Sequence, residues 1–241
     1  MLEEKFIGPE EALQANGVPL LITRRHETEF VQADYFAEEV RRELADRYGD
    51  KQLYTGGLSV RTTIDPKLQS IADNAIKSGL RAYDRRHGYR GPFYTIPEEV
   101  LSDSHLNLKR ALGQMPRPKG LEEWSLAVVK GTDGSFAHIY VEHGKMGRIP
   151  MAELSWARKA LKDQKRGPKV KTPANVLAPG DVIAVSRLEA TGEKQSEIGD
   201  LYGLRQIPQI NGGLVALDPH TGRVLAMTGG YSSELSQFNR V

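Results

Sequence analysis

Trp124-Ser-Leu-Ala-Val-Val-Lys-Gly-Thr-Asp-Gly-Ser-Phe-Ala-His-Ile-Tyr-Val141 is the stretch whose reading decides the fold. Ser125 to Lys130 is a short apolar run rich in β-branched residues, Thr132-Asp133-Gly134 is turn chemistry, and Ser135 to Val141 returns as a second strand. Gly144 to Pro150 reads as another turn, and Glu153 to Ala157 as a short helical or strand segment. Leu177-Ala-Pro-Gly-Asp181 turns into a further strand, Val182 to Val185. Several short strands within roughly ninety residues predict a small OB-like β-barrel at about 122–208. Within it, Arg158 to Lys171 holds seven basic residues against Asp163 alone, with Gly167-Pro168 inside, and reads as an exposed loop.

On the N-terminal side the pattern is helical. Pro9, Glu10 and Glu11 open a short helix that Asn16-Gly17 stops, and Val18 to His26 reads as extended or irregular. Asp34 reads as the cap of a helix with Phe36, Ala37, Val40, Leu44 and Tyr48 on one face, Glu38/Arg42 and Glu43/Arg47 outside, and Gly49 as its stop. Leu58, Val60, Thr62 and Ile64 alternate with polar residues as a half-buried strand after Gly56-Gly57. Asp65-Pro66 caps the next helix, whose apolar stripe is Leu68, Ile71, Ala72, Ala75, Ile76 and Leu80, with Gly79 near its end. Arg85-Arg-His-Gly-Tyr-Arg-Gly-Pro92 reads as a basic loop, a short helix follows between about Pro97 and Leu112, and Pro116-Arg-Pro-Lys-Gly120 is a linker. At the other end, Gly213–Leu217 and Arg223–Met227 flank Asp218-Pro-His-Thr-Gly222 as a hairpin with little to pack on, which reads as a domain cut short.

The 241 residues are 39% hydrophobic and 27% charged, as in a soluble globular chain, and a net charge of +2 gives no general attraction to nucleic acid or membrane. The absence of cysteine excludes a disulfide framework, a thiol nucleophile and thiolate metal sites. No apolar run is long enough to span a bilayer, and Met1-Leu-Glu-Glu-Lys5 does not open a signal peptide.

Ile210 to Tyr231 with Ser236-Gln-Phe-Asn-Arg240 resembles the opening strands of the transpeptidase domain of class A penicillin-binding proteins. Tyr54 to Gln69 resembles that family's linker strand and helix; Gly147-Arg-Ile-Pro150, Trp156-Ala-Arg158 and Leu177 to Ile183 resemble its OB-like insert. The resemblance implies an α+β chain: a tail after the glycosyltransferase domain at 1–33, linker helices and strand at 34–121, the OB-like domain at 122–208, and the first strands of the transpeptidase domain at 209–241. It implies a parent that polymerises and cross-links peptidoglycan on the periplasmic side of the inner membrane, with any anchor in the parent. It also implies a protein partner, such as a lipoprotein activator or another cell-wall synthesis protein, with peptidoglycan itself as a further candidate.

Acyl transfer to serine in this family needs Ser-x-x-Lys, which sets the amine one helical turn from the hydroxyl; no serine here has lysine three residues on, and Ser-x-Asn is missing. Lys77-Ser78-Gly79 matches the third family motif only by sequence, since it falls on a helix ahead of any nucleophile. The glycosyltransferase's Glu-Asp-x-x-Phe is also missing. The segment is therefore read as non-catalytic, with no cofactor and no metal: its six histidines are scattered, and His138 and His143 would face opposite ways on a strand. His220 reads as solvated and Asp218 as the cap of its own turn. The candidate partner-binding residues are Lys159, Lys162, Lys165 and Arg166 in the basic loop. The alternative reading is an OB/S1-like single-stranded nucleic-acid module using Gly144 to Ser155, Phe136 and Tyr140; the near-balanced charge weighs against nucleic acid.

Overall fold

The computed structural model describes residues 1–17, 31–101, 105–189 and 200–241. The chain forms two units, Met1–Phe30 and Val31–Val241. The first holds helix α1 (Pro9–Gly17), as expected, with no buried residue; Val18 to His26 lies outside the described residues.

The second unit is built on a six-stranded antiparallel sheet: β1 (Tyr94–Thr95), β2 (Ser125–Thr132), β3 (Phe136–Val141), β4 (Met146–Pro150), β5 (Asp181–Arg187) and β6 (Tyr202–Arg205). Its order is β1-β5-β2-β3-β4, with β6 paired to β5. Gly144 to Pro150, expected as a turn, instead forms β4 after a tight reversal, because Gly147 and Ile149 pair with Ile139 and Ala137 on β3. Among the described residues the sheet does not close into the expected barrel: the Tyr202 ring packs on Gly147, but the backbones of β4 and the chain entering β6 pair only at the parallel bridge Arg148↔Leu201. A single bridge replaces the ladder that closure requires.

The apolar run of β2 is continuous because both sheet faces are covered. Ala127, Val129, Ile139, Ile183 and Val185 join Ile149, Leu154, Leu177 and Leu204 on one side. Leu126, Val128, Val182 and Ala184 join Ile96, Leu108, Leu112 and Trp124 on the other. That second layer comes from α5 (Glu98–Leu101) and α6 (His105–Gln114). The sheet unit therefore begins well before residue 122, where the sequence reading sets its boundary. Gly180, in the turn into β5, has φ +92°, and a Cβ there would collide with the Ile96 carbonyl, which is why this turn takes glycine.

Helix α2 (Asp34–Tyr48) ends at Gly49 as expected. Asp34 is not its cap: Ala33 holds that position, and the Asp34 carboxylate accepts from Ser233 Oγ at 2.7 Å. A one-turn helix, α3 (Asp50–Thr55), follows. Leu58 to Ile64 forms no strand, and Leu58 and Val60 are exposed. This segment touches the C-terminal hairpin, β7 (Leu214–Leu217) and β8 (Val224–Thr228), through single bonds: Thr63 Oγ1 donates to Val224 O at 2.5 Å and Asp65 N to Leu225 O at 2.9 Å. Isolated bonds do not make a ladder, but they place 58–64 beside the hairpin.

Helix α4 (Pro66–Arg86) has the expected cap, with Asp65 accepting from Lys67 N and Leu68 N. It runs past Gly79, and its buried face is rotated from the expected stripe. Ile71 is 62% exposed and Leu68 37%, whereas Gln69 is 1% exposed and Asp84 3%. Gln69 lies flat against β8: its Oε1 accepts from Met227 N at 2.9 Å and its Nε2 donates to Met227 O at 3.0 Å. The side-chain amide thus continues the hairpin as a third strand would. Asp84, at the far end, accepts from Arg90 Nη1 at 2.8 Å, Gln206 Nε2 at 2.7 Å and Gln209 N at 3.3 Å. Gln69→Leu fits the space but leaves both Met227 backbone groups unpaired. It should lower the denaturant-derived stability by about 1–3 kcal/mol; an unchanged midpoint would show that the amide contributes nothing.

Candidate functional site

The four residues singled out in the sequence sit on a tight hairpin rather than a free loop. Lys159 and Gly167 are joined by Gly167 N donating to Lys159 O at 2.8 Å, Ala160 bridges Arg166, and Leu161 N donates to Lys165 O at 2.9 Å. A 3-10 turn at Lys162–Gln164 closes the tip, with Asp163 and Gln164 both at φ 57°. Lys159, Lys162, Lys165 and Arg166 are all exposed. None forms an ion pair with another described residue, so the hairpin presents an uncompensated basic knuckle on an ordered backbone.

Arg85 to Pro92 is not the basic loop expected. Arg85 and Arg86 finish α4, Tyr89 is 6% exposed, and Arg90 is spent on Asp84 and on Ile207 O. The helix instead lines a groove of about 600 Å³ with the approach to β2 and the end of β6. Glu122, one wall, accepts from Lys77 at 2.8 Å and Arg81 at 3.2 Å. Arg81 stacks 4.4 Å from the Trp124 ring centroid and donates to Tyr231 Oη at 3.0 Å. Burial pushes the Tyr231 phenol up to about 12, against the pull of Arg81. One guanidinium thereby joins α4, the approach to β2 and the segment after β8. Sequence reading missed Arg81, Arg85, Arg205 and Gln206 as a group; the one available signal was the polar spacing of 77, 81 and 85, one helical turn apart.

The histidines stay apart. His138 Nε2 bonds Asp133 Oδ2 at 2.8 Å, while His143 Nε2 lies 3.2 Å from Ser125 Oγ. No group of metal-ligating side chains occurs among the described residues. Asp218 caps its turn, accepting from His220 N at 3.0 Å and from Thr221 Oγ1. Lys77-Ser78-Gly79 lies inside α4 and not on a strand. Phe136 is overlain by Arg148, but Tyr140 is 2% exposed and cannot stack a base, which removes half the aromatic platform of the nucleic-acid reading.

The family described as "Penicillin-binding protein OB-like domain" matches residues 89–210. The chain belongs to that family. The match opens at Tyr89, which agrees with β1, α5 and α6 packing as part of the sheet unit. Penicillin-binding protein 1A of Rickettsia typhi is 39% identical over 100% of this chain and 28% of its own length. That of Pseudomonas aeruginosa is 34% identical over 100% of this chain and 27% of its own. The crystal structure of penicillin-binding protein 1A from Haemophilus influenzae superposes with a TM-score of 0.61 at 28% identity, covering 100% of this chain and 31% of that one. The chain spans less than a third of the length of these relatives. Among its described residues no helix is long and apolar enough to cross a membrane.

Asp133 offers a direct check on the geometry of the β2–β3 turn. Its carboxylate accepts from Ser135 N and Phe136 N, each at 2.7 Å, and from His138, and these bonds hold its pKa at about 2. A depressed folded-state pKa contributes stability above the ordinary carboxylate value and loses it as pH falls through about 2. A carboxyl-carbon NMR titration should therefore give Asp133 a midpoint near 2; a midpoint near the ordinary value of about 3.9 would mean that the turn bonds are not made.

Proposed function

We propose that this chain is a non-catalytic linker and docking segment of a peptidoglycan-synthesising penicillin-binding protein, working on the periplasmic side of the inner membrane. The observation that carries the reading is α4, which hydrogen-bonds the C-terminal hairpin at Gln69 and the sheet unit's end at Asp84. A helix held at both ends transmits position and needs no reacting group. In this reading the sheet is an OB-like unit whose β4 and β6 edges are tied at Arg148 and Leu201. The hairpin β7–β8 is the base on which a transpeptidase domain is built. The basic knuckle of Lys159, Lys162, Lys165 and Arg166 supplies the docking surface, its anionic counterpart being an acidic patch on a cell-wall synthesis protein or the peptidoglycan.

The reading requires that this chain form no covalent penicillin adduct, because no serine has a lysine three residues on. Incubation with a fluorescent penicillin followed by a denaturing gel should leave its band dark beside a labelled full-length penicillin-binding protein 1A. A labelled band at 26.8 kDa would defeat the claim.

Docking is tested on the knuckle itself. Replacing all four basic residues with serine should leave the melting temperature nearly unchanged, since exposed charges contribute at most about 1 kcal/mol each. It should reduce cosedimentation with purified peptidoglycan, and the loss should be mimicked by salt, which screens exposed charges beyond about 8 Å at physiological strength. Equal retention of both proteins at low salt would remove peptidoglycan as the counterpart.

A further inference from the structure

Of the four cations lining the α4 groove, three have a carboxylate: Lys77 and Arg81 face Glu122, and Arg205 Nη1 lies 2.9 Å from Glu153 Oε2. Arg85 forms no ion pair with any described residue. Its guanidinium lies 4.7 Å from the Trp156 ring centroid, and its Nη2 donates to Leu204 O at 3.1 Å. Arg205 Nη1 donates to the same oxygen at 3.0 Å. Two guanidinium groups therefore converge on one carbonyl, and Glu153, the carboxylate that acts on Arg85, is already bonded to Arg205. Burial, with Arg205 beside it, pushes the Arg85 pKa below its ordinary value. The indole beneath Arg85 carries an unsatisfied group of its own: Trp156 Nε1 is buried without a hydrogen-bond partner among the described residues.

Half-buried like charges held together raise the energy of the empty site, and an anion seated on them lowers it. We propose that this groove is a carboxylate-binding site, with Arg85 as the principal ligand contact and Arg205 beside it. Several features fix the ligand class. A guanidinium fork matches the two oxygens of a carboxylate or a phosphate. The groove holds one uncompensated charge, and Glu122 and Glu123 line it, so a monoanion is accepted and a dianion is repelled. The groove's size, about 600 Å³, lies in the range of small-molecule sites. Asn74 and Ser78 on the α4 wall offer neutral donors to the rest of the ligand. The site is separate from the basic knuckle, and its test does not depend on whether the knuckle docks a partner.

The chain has two tryptophans, and each lies under one groove arginine, Trp124 under Arg81 and Trp156 under Arg85. Trp124 lines the groove and Trp156 reports through its contact with Arg85, so their indole N–H signals in a two-dimensional NMR spectrum follow the site. N-acetyl-dialanine, its C-terminal amide, an amidated peptide bearing one glutamate, and inorganic phosphate would be titrated at constant ionic strength. N-acetyl-dialanine should move the Trp156 signal saturably with a Kd of about 1 mM, and the amide should not. A response to the glutamate peptide as well assigns the site to carboxylates in general; its absence assigns it to chain termini. Arg85→Gln keeps a donor for Leu204 O but loses the charge, and should weaken binding at least about tenfold while the Trp124 signal, under Arg81, keeps its position. Arg85→Lys, which keeps the charge without the fork, should fall between the two and stands in if the glutamine variant does not fold. Equal shifts with acid and amide, tighter binding of phosphate than of carboxylate, or unchanged affinity in both variants would overturn the proposal.

Discussion

A buried amide must find inside the protein the hydrogen bonds it gave up in water, and at Gln69 it finds them on the backbone of Met227. The same constraint acts at Asp84, whose 3% exposure is tolerated because Arg90, Gln206 and Gln209 all donate to it. These two polar side chains lie on one face of α4 near its opposite ends, and each bonds a different part of the fold. An apolar contact is roughly proportional to area and permits sliding. A bidentate amide and a triply bonded carboxylate fix both distance and register. The relation between the sheet unit and the C-terminal hairpin thus rests on directional bonds more than on the volume of a shared core.

Charge reinforces the same joint. Arg81, between the two buried polar residues, connects α4 to Glu122 and Glu123 on one side and to Tyr231 on the other. Its guanidinium lies between the Trp124 and Tyr231 rings, at 4.4 and 5.4 Å from their centroids. The helix is consequently polar where an isolated amphipathic helix would be greasy. Its exposed outer face carries Leu68 and Ile71 instead.

Much of the fold was legible in the sequence, and the places where it was not share a cause. Turn and cap chemistry acts within a few residues, so Asp65-Pro66, the 132–134 turn and the Asp218 turn read correctly. Periodicity misled wherever partners distant in sequence set the environment. Leu58 to Ile64 alternates like a strand but finds only single bonds to β8, and Gly144 to Pro150 looks like turn residues but completes a ladder with β3. The α4 stripe was drawn through leucine and isoleucine because nothing local reveals that Gln69 meets Met227, 158 residues away. The basic knuckle was visible as composition, since charge density needs no tertiary information. The Arg81–Arg85–Arg205 groove was not, because its members converge only when α4 packs against the end of β6.

Native-state hydrogen exchange on the unmodified chain tests the central claim, that α4 and the elements bonded to its two ends behave as one mechanical unit. The amide of Met227 is accepted by Gln69, and that of Gln209 by Asp84. Both should open with the same free energy as the interior amides of α4, because neither bond can break without releasing a buried polar group. Exchange of the Met227 and Gln209 amides at free-peptide rates, while the interior of α4 remains protected, would contradict the account.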